Sequence, residues 1–157
     1  MKLLTLQAQH FLLLAALLIL NACAPTPVGE FIPYYQAETE KPYADVLAEL
    51  EIAISEHNFR ITGHSRVGKV IRDRGTKNFP EYDTIQFCNL THARTLLEIT
   101  PHAISFMPCN VVIYQFNGKT LIKTHLLPEH SDNQTLNQFA QKMNLKLKAI
   151  VDFAADE

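Results

Sequence analysis

The stretch Val111-Val112-Ile113-Tyr114-Gln115-Phe116-Asn117-Gly118-Lys119-Thr120-Leu121-Ile122-Lys123-Thr124-His125 decides the fold. Asn-Gly between two apolar runs is the strongest short-range signal for a β-hairpin, because both turn positions accept the positive φ that a two-residue loop demands. That loop fixes the register: Phe116 faces Lys119, Tyr114 faces Leu121, Ile113 faces Ile122, Val111 faces Thr124 and Cys109 faces Leu126. Cys109 then shares the apolar face with Ile113 and Ile122. Beyond the hairpin, Ser131-Asp132-Asn133-Gln134 reads as a capping box. Leu136, Phe139, Ala140, Met143, Leu147, Ile150 and Val151 follow at helical spacing. The C-terminal half is a hairpin followed by a long helix.

Upstream, Tyr82 to Phe87 reads as a strand with Ile85 and Phe87 on one face. Asn89 caps a helix carrying Ala93, Leu96, Leu97 and Ile99, which ends before Pro101. Pro42 opens an earlier helix whose stripe is Val46, Leu47, Leu50, Ala53 and Ile54. Phe31 to Ala37 reads as a strand entering that helix, Phe59 to Arg66 as a strand leaving it, and Val67 to Asp73 as a short helix. There is no repeat and no low-complexity tract. Strands and helices interleave, so the expected class is a single α+β domain. Its sheet is expected to be mixed and four- to five-stranded, with helices mainly on one face.

The composition suits such a domain. Apolar residues are 47% of the 157 and charged residues 19%, with 14 Lys and Arg against 16 Asp and Glu. Neither disorder nor a disulfide-held scaffold is indicated, and a net charge of −2 argues against a broad nucleic-acid surface.

The N-terminus reads as an export address. Lys2 precedes the apolar run Phe11 to Leu20, and small Ala22 precedes Cys23. As a helix that run spans only about 15 Å, against a hydrocarbon layer of about 30 Å, so a removable signal peptide is favoured over a permanent span. Leu20-Asn21-Ala22-Cys23 resembles the lipobox of bacterial lipoproteins, in which the thiol is acylated and the leader cut before it. The resemblance implies residues 1–22 as signal peptide, a lipid on Cys23 with palmitate-type chains, and residues 23–33 as a Pro-rich tether. Residues 34–157 form the domain. Ala24 is not the Asp that retains lipoproteins at the inner membrane, which places the protein in the envelope, facing the periplasm and more readily on the outer membrane than the inner.

With Cys23 assigned to lipid, Cys88 and Cys109 remain. In an oxidising compartment they could pair, and a disulfide closing about 20 residues would contribute roughly 3 kcal/mol. If the strands before and after the intervening helix run parallel, the two sulfurs stand about 20 Å apart. If the strands are antiparallel neighbours, or the segment Ala103 to Met107 folds back, the two thiols could meet. Cys88 precedes a helix N-terminus, where the helix dipole favours thiolate, and His92 can reach back from the first turn. Asn110 faces His125 across the hairpin. Asn89, His92, Asn110 and His125 are therefore the auxiliary polar candidates. None of His57, His64, His92, His102, His125 and His130 forms a ligand pair by spacing, so neither metal nor cofactor is read from the chain. Arg66, Lys69, Arg72, Arg74 and Lys77 make a basic cluster of the kind usually solvated. Gly63 to Lys69 lacks the spacing of a phosphate loop.

Phe87-Cys88-Asn89-Leu90-Thr91-His92-Ala93, then Pro101 and Met107-Pro108-Cys109-Asn110-Val111-Val112-Ile113-Tyr114, resemble the family catalogued as domain of unknown function 302. The resemblance runs from about Tyr34 to Glu129, with Leu90 standing where members often carry Pro. It implies a compact α plus β fold that tends to form a homodimer, and brings no settled activity. The expected function is that of a lipid-anchored envelope domain binding a small ligand or an envelope protein without catalysis. The alternative is a thiol-redox or metal-binding protein using Cys88 and Cys109.

Overall fold

The computed structural model describes residues 33–156. The expected signal peptide, Cys23 and the expected tether up to residue 32 lie outside the described residues. The chain runs β1 (Tyr34–Thr39), α1 (Tyr43–Glu56), β2 (Arg60–Arg66), α2 (Val67–Asp73), β3 (Tyr82–Cys88) and α3 (Leu90–Ile99). A 3-10 segment, Pro101–Phe106, then leads into β4 (Cys109–Phe116), β5 (Lys119–His125) and α4 (Gln134–Ala155). The five strands form one sheet in the order β1-β5-β4-β3-β2.

Every neighbouring pair is antiparallel. The α+β class stands as read, but the sheet is not mixed. The reason lies between Leu90 and Pro108: α3 and the 3-10 segment together turn the chain back, so β4 returns beside β3 in the opposite direction rather than through a crossover. The hairpin register is as its turn dictates, from Phe116↔Lys119 to Val111↔Thr124. Asn117 and Gly118 hold φ of 52° and 79°, values that an ordinary L-residue resists and this pair accepts.

Alternation along the strands sorts the side chains onto two faces. Ile85, Phe87, Val111, Ile113 and Ile122 are wholly buried on one face, where they meet Val46, Leu50 and Ile54 of α1 and Leu147, Ile150 and Val151 of α4. Each such side chain contributes roughly 2 kcal/mol of transfer free energy. α4 is tied to β1 by Tyr35, whose hydroxyl donates to Asp152 at 2.6 Å. Asn144, the one fully buried polar side chain of α4, accepts from the Leu127 N–H at 2.8 Å and donates to the Leu127 carbonyl at 2.9 Å. It thereby satisfies both backbone groups of a segment that has left the sheet.

Two boundaries differ from the reading. β1 begins at Tyr34 and continues to Thr39, because its pairing with β5 carries it past Ala37. The cap of α4 is Asn133, whose side chain accepts from Leu136 N–H, while Ser131 stands outside the helix and accepts from Asn133 N–H at 3.2 Å. Asn133 prevails because its carboxamide reaches the first-turn amides and Ser131 closes the preceding turn.

Candidate ligand-binding site

α1 and α4 cover one face of the sheet; the other face carries Tyr82, Thr84, Asn110, Val112, Tyr114 and Lys123. There α2 and the segment after it rise at the end of β3 and wall a cleft of about 550 Å³, within the range of small-molecule sites. Val67, Ile71 and Phe79 form the wall, Tyr82, Val112 and Tyr114 the floor, and Asn110, Lys123 and His125 the far end.

The wall is held by specific contacts. Arg72 of α2 donates to the Phe79 carbonyl at 2.7 Å and pairs with Glu81 at 2.6 Å. Gly68 is buried against the backbone of Pro80, Glu81 and Tyr82, with no room for a Cβ. The basic cluster is thus partly structural: Arg72 anchors the wall, and Lys69 pairs with Asp73 at 2.6 Å along α2.

On the floor, Tyr82 and Tyr114 face each other across β3 and β4. Their rings are stacked 5.7 Å apart at 4°, and Phe79 leans on Tyr82 at 5.6 Å. At the far end the Lys123 ammonium lies over the Tyr34 ring, 3.4 Å from its centre, a contact that orients the cation without neutralising it. Asp83 also lines the cleft. Its strand position turns the carboxylate to the helix-covered face, where it meets His64 Nε2 at 2.8 Å and is 5% exposed.

The residues singled out from the sequence line three cavities, one of which, of about 270 Å³ beside Met107 and Pro108, is shared by Cys109, Asn110 and His125. Asn110 and His125 both line the cleft's far end; the Asn110 carbonyl accepts from the Thr124 hydroxyl at 2.6 Å. Cys88, Asn89, His92 and Cys109 instead line a separate cavity of about 20 Å³ among Phe59, Leu96, Phe106 and Phe139. Antiparallel pairing of Phe87 with Cys109 brings the two cysteines close, and both are free thiols. Burial first, and then the neighbouring Cys88, pushes the Cys109 thiol up to about 11, so it is protonated at neutral pH and a poor nucleophile.

Asn89 accepts from His92 N–H at 3.0 Å and donates to the Asn58 carbonyl at 2.7 Å. Its role is to cap α3 and lash it to the α1 exit. The His92 ring packs between Phe59 and Phe139, and burial, helped by Lys146, lowers its pKa. Among the described residues no group of three His, Cys, Asp or Glu side chains gathers as a metal site would.

Lys123, Phe79, Tyr82 and Tyr114 escaped the sequence reading. A signal existed: on strands whose alternate positions are apolar, Tyr82 and Tyr114 put large aromatic rings on the face that should be polar.

A family model described as "Domain of unknown function DUF302" matches residues 35–154. Among solved structures, the chain is similar to "Crystal structure of uncharacterized conserved protein DUF302 from Bacillus stearothermophilus". The two are 21% identical with a TM-score of 0.68, over 77% of this chain and 97% of that one. At that identity the likeness is one of fold. No curated protein matches. The chain belongs to the DUF302 family.

Proposed function

We propose that this DUF302 domain is a bacterial envelope lipoprotein, held at a membrane through Cys23, that binds a small ligand in the sheet-face cleft and performs no chemistry on it. The observation that carries the binding half is the cleft of about 550 Å³ on the face that α1 and α4 leave open. Its walls are aromatic and aliphatic, its polar groups converge at one end, and neither of the two free thiols lines it. Such a lining holds and orients a molecule; it does not supply an activated nucleophile.

The anchoring half rests on Leu20-Asn21-Ala22-Cys23 and the apolar run before it. No helix among the described residues is long and apolar enough to cross a membrane, so attachment in this reading falls to the lipid. One chain anchors marginally and two or more anchor stably, at about 0.8 kcal/mol per buried methylene. Ala24 after the cysteine favours the outer membrane, with the domain facing the periplasm. A homodimer joined through a sheet edge or a helix surface would leave the cleft accessible and belongs to the same reading.

Mass spectrometry of the protein isolated from a bacterial envelope tests the anchor. The expected mature chain begins at Cys23 and carries diacylglyceryl and acyl groups, and Cys23→Ser leaves the precursor uncut. An unmodified terminus, or a retained leader in the cytosol, overturns it. Filling the cleft by Val112→Trp tests the binding half: loss of small-ligand binding with unchanged thermal stability is expected, and unaffected binding would place the ligand elsewhere.

A further inference from the structure

The cleft is chemically polarised from one end to the other. At the α2 end, Val67, Ile71, Phe79, Tyr82 and Tyr114 offer aliphatic groups and ring faces. The stacked tyrosines present a broad flat surface, which favours a planar partner over a branched one. At the β5 end stand the Lys123 ammonium, the His125 imidazole and the Asn110 carboxamide. Among the described residues of the lining the only carboxylate is that of Asp83, which turns to the other face of the sheet and meets His64 at 2.8 Å. A partly buried cation with no carboxylate partner among the described residues, beside an apolar slot, creates a field that selects negative charge.

We infer, resting on the proposal that the cleft is a binding site, that its ligand is a small amphiphile with a flat, ring-bearing apolar body and one anionic group. The body lies over Tyr82 and Tyr114 beneath the α2 wall. The anion meets Lys123, with His125 and Asn110 completing its hydrogen bonds. Sheet pairing sets the arrangement, because Tyr82↔Tyr114 and Val112↔Lys123 place the two halves of the recognition surface on adjoining strands.

Two fluorescent probes with one ring system separate the charge from the body: anilinonaphthalene sulfonate and its neutral analogue phenylnaphthylamine. They are titrated into the chain from position 23 onward with Cys23→Ser, which keeps every residue of the described core. The sulfonate is expected to bind at one site about tenfold more tightly than the neutral probe, the effect of one charge-assisted hydrogen bond. Lys123→Met removes that advantage and leaves the neutral probe unchanged, while Tyr114→Ala weakens both. In the unsubstituted domain, added salt weakens only the sulfonate, so the charge dependence is readable even if Lys123→Met fails to fold. Equal binding of the two probes, weakened by Tyr114→Ala but indifferent to salt and to Lys123→Met, overturns the anionic ligand and keeps the cleft. Absence of one-site binding by either probe, or binding indifferent to Tyr114→Ala, overturns both.

Discussion

Cys109 shows how one side chain's surroundings decide its chemistry. Its strand position turns it into the apolar cluster under the sheet, and with its thiol pushed up to about 11 only about a thousandth is thiolate at pH 8. In the folded protein, alkylation of Cys109 followed by peptide mass spectrometry should be slow at pH 8 and quicken as pH climbs toward that value. Fast labelling at neutral pH would mean an open, activated thiol. Asn144 is the corresponding case for stability. Asn144→Leu strips the Leu127 N–H and carbonyl of their shared partner and should cost about 2 to 3 kcal/mol in denaturant unfolding. The sequence concealed this role, since an Asn in a helical stripe reads as an exposed interruption until the chain it clamps, 17 residues away, is placed.

Among the elements, those ruled by local chemistry were legible and those ruled by distant pairing were not. The β4–β5 register follows from two turn residues and could be read pair by pair. The direction of β4 against β3 depends on a 3-10 segment that leaves no periodic trace, and there the expectation of a mixed sheet gives way to antiparallel pairing. The cleft was hidden for the same reason: Tyr82 and Tyr114 are 32 positions apart, and only the β3–β4 register stacks them. Two elements make testable claims. Gly68→Ala drives a Cβ into the Pro80 carbonyl and to within 2.7 Å of the Tyr82 nitrogen. It should cost roughly 1 to 3 kcal/mol and loosen the cleft wall, so weaker probe binding should accompany the lower melting temperature.

For α3, His92 carries a pKa held below its ordinary 6.5 by burial and by Lys146. The unfolded chain therefore takes up the proton first as pH falls. Stability from this residue is intact above 6.5 and is lost as pH drops through that value toward the lower folded one. Replacing the ring by His92→Phe should flatten that part of the stability profile measured by urea unfolding; an unchanged slope would assign the acid sensitivity to other groups.

For the molecule as a whole, two layers divide the labour. The face beneath α1 and α4 supplies the core, and the opposite face lies outside that core and is free to specialise. This is why aromatic rings and a lysine can stand in a concave surface there. The division also explains why function was less legible than fold. Core positions repeat with the period of their elements, whereas the cleft draws single residues from α2, β3, β4 and β5 that share no period. Deletion of α4 should therefore abolish cooperative unfolding altogether, seen as loss of the near-ultraviolet circular dichroism signal, rather than merely remove the cleft.

The bond from Tyr35 to Asp152 joins residues 117 positions apart, so the first strand of the domain is sealed by its last helix. Until the ribosome has released nearly the whole chain, the hydrophobic layer has only one of its two covering helices, so its closure falls at the end of synthesis.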